Sequence, residues 1–226
     1  MSGVAKPTVV LFDVDETLVH TGGSGARSWT SAFQKLYGIP ADIGQHTSAG
    51  ETDPQVARAT FVGAVGRQPT DRDLDQLYAQ YLLFLADDIV VSEHYRMLPG
   101  ADRCLMALGE AGVLLGLVSG AMEGAARTKL IPADLNRFFL FGAYGSDSPD
   151  RAELTGIAIE KATRLHAQLK PGEVFVVGDT PLDISAAQKV GAVSVGVATG
   201  KYSVDELRDA GADHVLSSLT EPFPGV

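Results

Sequence analysis

The run Thr8-Val-Val-Leu-Phe-Asp-Val-Asp-Glu-Thr-Leu18 constrains the chain more than any other stretch. Val9 to Phe12 are β-branched, aliphatic or aromatic without alternation, the pattern of a strand covered on both faces of a parallel sheet. Two carboxylates, Asp13 and Asp15, follow with one apolar residue between them. On an extended backbone residues i and i+2 share a face, so both acids point into one space and Val14 points away. Two anions that close repel unless a cation joins them or one keeps a proton. Open α/β sheets bind their ligands beyond the carboxyl ends of the strands, which is where this pair falls.

The remainder of the chain supplies such a sheet. Apolar runs at Val113–Val118, Phe138–Gly142, Val174–Val177 and Val193–Val197, with a short edge run at His214–Leu216, read as strands. Helical patterns separate them, over 101–111, 121–130, 152–169, 181–190 and 204–210. Strands alternating with helices predict a doubly wound parallel sheet of the α/β class. Between the first run and Leu98-Pro99-Gly100 the text differs. A glycine-rich hinge (Gly22, Gly23, Gly25) opens a stretch of helical periodicity alone. Trp29, Phe33, Leu36 and Tyr37 mark one helix, Thr52 to Val65 a second, and Asp71 to about Val91 a third. The predicted organisation is a core at 1–20 and 96–226 with an α-helical cap inserted at 21–95. The hinge lacks the lysine and spacing of a phosphate-binding P-loop.

Composition narrows the partners. A formal net charge of −10 repels nucleic acid and anionic lipid, so neither is expected. No apolar stretch has the length of a membrane span, and the N-terminus carries no secretory pattern. Cys104 is the only cysteine, so an internal disulfide is impossible and a cytoplasmic location is the simplest expectation. Its flanks suggest a buried helix face without a chemical role. His20, His94, His166 and His214 are read as carrying no function.

Three predicted strand ends bear polar groups. The first has Asp13, Asp15 and Thr17. The second has Ser119 and Gly120 just before a helix, where free N–H groups and the dipole suit a phosphate oxygen. The third is Gly178-Asp179-Thr180-Pro181-Leu182-Asp183, with Thr180 as N-cap, Pro181 in the first turn and Asp183 behind. Asp13, Asp15, Asp179 and Asp183 are hard oxygen donors without a His or Cys set, and such a set suits Mg²⁺ better than zinc. With Mg²⁺ in place Asp13 can act as a nucleophile and Asp15 as acid and then base.

Asp-Val-Asp-Glu-Thr at 13–17, Val-Ser-Gly at 118–120 and Gly-Asp-Thr-Pro-Leu-Asp at 178–183 resemble three of the four motifs of the haloacid dehalogenase superfamily. Their order and spacing are similar to its phosphatase branch, with a helical cap after the first motif. The resemblance implies a phosphoric monoester hydrolase that acts on a small phosphate monoester, phosphoglycolate-like or a sugar phosphate. Asp13 would attack phosphorus to give an aspartyl-phosphate, and Asp15 would protonate the leaving alcohol and then activate water. Mg²⁺ would be held by Asp13, the backbone carbonyl of Asp15 and Asp179, with Asp183 behind, while Ser119 and Gly120 would bind the phosphoryl group. The third motif of the family is a lysine; here Gly-Ser-Asp-Ser-Pro-Asp-Arg151 holds none, and Arg151 is the candidate substitute because a guanidinium bridges carboxylate and phosphate. Lys161, deeper in the next helix, is read as solvent-facing. Glu16 stands where many relatives have glycine. The cap loop Gly44–Asp53 resembles the Gly-x-Thr-Asp loop of phosphoglycolate-phosphatase-like members, which makes His46, Thr52 and Asp53 candidates for substrate choice. The alternatives are a sugar-phosphate mutase of the β-phosphoglucomutase type and a non-catalytic binding protein that kept the fold. A dehalogenase is disfavoured, since that branch lacks an acid at the place of Asp15. The protein is expected to be a monomer or a homodimer.

Overall fold

The structure, a computed structural model, describes residues 6–48, 50–166 and 169–226. Six parallel strands form the central sheet: β1 (Val9–Phe12), β4 (Leu114–Ser119), β5 (Phe141–Tyr144), β6 (Val174–Gly178), β7 (Val193–Val197) and β8 (His214–Leu216). Their order is β5-β4-β1-β6-β7-β8, so β1 lies between β4 and β6. The unbroken apolar run of β1 follows from burial on both faces. Val10 and Phe12 enter one hydrophobic cluster with Leu105, Leu108, Ala125 and Ala126, and Val9 and Leu11 enter the other with Leu154, Ala158 and Ala187. Helices α4 (Ala101–Glu110) and α5 (Glu123–Leu130) supply the first face, α6 (Arg151–Leu165) and α7 (Pro181–Lys189) the second, and α8 (Val204–Asp209) packs near the β7–β8 edge. This is the doubly wound α/β class.

The segment between is helical: α1 (Ser24–Tyr37), α2 (Asp53–Val65) and α3 (Asp71–Ile89). Helices α1 and α3 pack through Trp29 stacked on Tyr81, with ring centroids 4.1 Å apart. Two-residue strands β2 (Val19–His20) and β3 (Arg96–Met97) pair antiparallel where the chain leaves and re-enters the core. Such short strands carry no readable alternation, and the sequence gives no hint of them.

Two elements depart from expectation. The third core strand begins at Phe141 rather than Phe138, because Asn136–Phe138 closes a 3₁₀ turn and the pairing with β4 starts at Gly116↔Phe141. An apolar run longer than its strand leaves the register open, and Leu140 at 76% exposure shows that the run is not buried throughout. The helix predicted over 152–169 starts at Arg151 on an Asp150 cap and ends at Leu165; the last part of that prediction runs through residues 167–168, outside the described ones. No helix among the described residues is long and apolar enough to cross a membrane.

Candidate active site

Adjacent strands lie about 5 Å apart, so the ends of β4, β1 and β6 bring their next residues into one neighbourhood. Ser119, Asp13 and Asp179 stand there, together lining a cavity of about 210 Å³ with Asp15, Glu16, Gly50, Glu51, Asp53, Gly120, Lys129, Arg151 and Thr180. The chain continues past β1 through a tight loop, in which Leu18 and Val19 donate to the Val14 carbonyl. Glu16 takes a left-handed backbone (φ 56°), which explains in physical terms why glycine suits that position. Its carboxylate is held by His20 Nδ1 at 2.6 Å, and its carbonyl accepts from Thr199 Oγ1 at 2.6 Å.

Carboxylate oxygens of Asp13, Asp179 and Asp183 lie within 4.8 Å of one another, all buried. Asp183 is committed on both sides. One oxygen accepts from the amide and hydroxyl of Thr180, closing the capping box of α7, and the other accepts from Arg151 Nη1 at 2.6 Å. Arg151, the first residue of α6, also reaches Asp13 Oδ1 at 3.5 Å and donates through Nε to the Gly50 carbonyl at 3.2 Å. One buried guanidinium therefore serves two carboxylates and a backbone carbonyl, beside the third carboxylate of the cluster. Burial pushes Asp13 up to about 7 against the pull of Arg151, with Asp183 and Asp15 adding repulsion. Burial likewise pushes Asp179 up to about 9, helped by Asp13 and Asp183. Such a cluster is short of positive charge, and its all-oxygen donors fit a hard divalent cation.

Asp15 points to the other side of the cavity. Its Oδ2 accepts from Lys129 Nζ at 2.6 Å, and the lysine side chain is 7% exposed. The Asp15 carboxylate is thus outside the three-acid cluster, although it lines the same cavity. Sequence reasoning missed Lys129. The signal was present: Ala125, Ala126, Lys129 and Leu130 recur at helical spacing on the buried face of α5, and a lysine on such a face requires an acidic partner. Ser119 is buried and its Oγ accepts from the Ala121 amide at 3.3 Å.

The insert closes over these groups through one loop. Asp53 donates its N–H to the Gly120 carbonyl at 2.8 Å, and its Oδ2 accepts from the Met122 amide at 2.8 Å, capping α5 from outside. Burial pushes Asp53 up to about 6, against Lys129 and the Met122 amide. Gly120 permits this approach: a Cβ there would lie 3.0 Å from the Glu51 carbonyl and 3.3 Å from Arg151 Nη2. Thr52 forms the capping box of α2 with Gln55 and faces a neighbouring cleft rather than the cavity. His46 is not brought to the site. Its ring packs over Gly63 of α2, where a Cβ would collide with it, because the short 3₁₀ turn at Ile43–Gln45 directs it onto that helix. Lys161 donates to the Gly142 carbonyl at 2.7 Å and takes no part either.

Known proteins resemble this chain over most of its length. The family model of haloacid dehalogenase-like hydrolases matches residues 7–191. The phosphoglycolate phosphatase of Rhodospirillum rubrum is 29% identical over 91% of this chain and 85% of its own length. The 2-deoxyglucose-6-phosphate phosphatase 1 of Saccharomyces cerevisiae is 23% identical over 93% and 87%. The crystal structure of a hydrolase from Pseudomonas syringae superposes with a TM-score of 0.72 over 94% of both chains at 22% identity, a likeness of fold. The chain belongs to the haloacid dehalogenase-like hydrolases, and the expected phosphatase branch agrees with the names its relatives carry.

Proposed function

We propose that this hydrolase is a Mg²⁺-dependent phosphatase that cleaves a small phosphate monoester, with residues 21–95 as its cap. The observation that carries the reading is the convergence of Asp13, Asp179, Ser119 and Arg151 on one cavity at three neighbouring strand ends. The relatives named for phosphoglycolate and for a sugar phosphate support the same reaction class. Asp13, Asp179 and the Asp15 carbonyl would hold the ion, with Asp183 fixing Arg151 behind them. Bound there, Mg²⁺ supplies the charge neutralisation that a dianionic phosphoryl group needs beside so many carboxylates.

The residues of the chain divide the work. Asp13 attacks phosphorus: the bond from phosphorus to the substrate oxygen breaks as the bond to the Asp13 oxygen forms. Arg151, 3.5 Å from Asp13, spans nucleophile and phosphoryl oxygen, a geometry suited to its planar fork. The Ser119 hydroxyl and the amide of Gly120 hold a further phosphoryl oxygen. Asp15 gives its proton to the departing alcohol, then takes one from the water that cleaves the aspartyl-phosphate, which restores both acids. Lys129 keeps the Asp15 side chain over the cavity.

Inorganic phosphate release from a panel of phosphorylated metabolites tests the reading. The expected result is turnover with Mg²⁺ that stops with EDTA and with Asp13→Asn. A panel without any metal-dependent release would overturn it.

A further inference from the structure

At the phosphate end of the cavity the guanidinium of Arg151 faces the acid cluster of Asp13, Asp179 and Asp183. The opposite end, where a leaving group must lie, is different. It is lined by Asp15, Glu51 and Asp53, with Lys129 as the one cation among the described lining residues there. That ammonium is already engaged. It donates to Asp15 at 2.6 Å, and the Asp53 carboxylate adds a second attraction to its charge. Asp53 cannot swing away, since its N–H and its carboxylate are both fixed to the start of α5. Glu51 sits on the same short loop, with its Oε1 accepting from the Ser48 amide at 3.1 Å. With Asp15 carrying the proton for the leaving group, the carboxylates of Glu51 and Asp53 against one committed ammonium leave this end net negative. Carboxylates are acceptors only, so they pair well with hydroxyl donors and repel a second anion.

Resting on the phosphatase reading, we infer that the leaving-group end is built for an uncharged, hydroxyl-bearing alcohol, a polyol or sugar phosphate, and that Glu51 and Asp53 exclude monoesters carrying a second anion. Lys129 is on this view an internal counter-ion rather than a carboxylate-binding subsite. The phosphoglycolate phosphatase of Rhodospirillum rubrum, 29% identical, would then differ from this protein in substrate because of the charge on one cap loop.

The test compares kcat/KM with Mg²⁺ for glycerol phosphate, phosphoglycolate and phosphoethanolamine, three small monoesters whose leaving groups are neutral, anionic and cationic. Glycerol phosphate is expected to exceed phosphoglycolate by about tenfold or more, the factor set by a like-charge penalty of about 1.4 kcal/mol. Glu51→Gln, which keeps the acceptor and removes the charge, is expected to narrow that ratio about threefold, mainly through the KM for phosphoglycolate. Phosphoglycolate matching or exceeding glycerol phosphate in the unaltered enzyme would overturn the inference and leave the phosphatase reading intact. Phosphoethanolamine exceeding glycerol phosphate would overturn the uncharged class. Release from none of these nor from an aryl phosphate would remove the phosphatase reading, and the inference with it.

Discussion

The two ends of the cavity each contain one buried cation beside carboxylates, yet they are assembled differently. At the phosphate end Arg151, Asp13, Asp179 and Asp183 all come from the core, from strand ends and first helical turns whose positions the sheet dictates. At the leaving-group end Lys129 and Asp15 belong to the core, but Asp53 and Glu51 arrive on the loop of the insert. That loop is held by few bonds: Asp53 to Gly120 and Met122, Arg151 to Gly50, and Thr52 Oγ1 to the Pro149 carbonyl at 3.4 Å. Chemistry placed on rigid strand ends tolerates no choice of partner, whereas a loop seated by a handful of hydrogen bonds sets which partner enters.

The sharpest way to break this contrast is at the phosphate end. Asp13→Asn removes the proposed nucleophile while preserving shape, and phosphate release is expected to fall by about 10³-fold or more. A smaller loss would mean that the two ends share the bond-breaking work. Lys129→Met probes the other end. It leaves Asp15 without its partner, and a loss of about 10²-fold is expected for alkyl phosphates, the size of a misplaced general acid. Aryl phosphates, whose leaving groups need no proton, should lose less in the first step and show a burst of phenol release before a slow steady state. Equal losses on both substrate types, without a burst, would make Lys129 a folding residue rather than one that positions Asp15.

The difference between the ends also decides what was legible in the sequence. Asp13, Asp179, Ser119 and Arg151 were readable because each sits at the end of an apolar run or in a first turn, and strand ends in an α/β sheet face one side. Lys129 was not, since its partner Asp15 is 114 residues away and pairing across that span is a property of packing. Its position on the buried face of α5 was the available clue. The apolar run of the third core strand begins three residues before its pairing with β4, and such a run has no internal mark for register. Asp183 reads as a cap in the sequence and is one in the structure, and only the coordinates add that its other oxygen holds Arg151.

Acidity sharpens the comparison further. In the metal-free protein Asp13 (about 7) and Asp179 (about 9) hold protons that the unfolded chain releases near the ordinary value of 3.8. The folded state therefore binds more protons between these values, and its stability falls as pH rises through that window. The metal-free Tm is expected to drop by several degrees between pH 5.5 and pH 8.5, conditions chosen at roughly the two sides of the Asp13 transition. Mg²⁺ competes with those protons, so its stabilisation should be larger at the higher pH. A Mg²⁺-induced gain in Tm that shrinks as pH rises would show that Asp13 and Asp179 are not where the cation binds.

Smaller effects belong to the loop. Gly120→Ala introduces a Cβ into the space between the Glu51 carbonyl, 3.0 Å away, and the Thr52 Cα, 3.2 Å away. Its own backbone needs no glycine-only conformation, so the cost falls on the seating of the loop rather than on the core. A rise of about threefold to tenfold in KM with little change in Tm is expected, the range of about 1 kcal/mol in a contact that must give way. His46→Ala should do least. The ring lies over Gly63 on the insert, away from the cavity, so kcat/KM is expected to stay within about twofold, as for a surface substitution worth under about 0.5 kcal/mol. A large loss for His46→Ala, with Tm unchanged, would mean that the insert moves far enough during turnover to carry that ring to the substrate, and the leaving-group end would then be larger than the cavity described above.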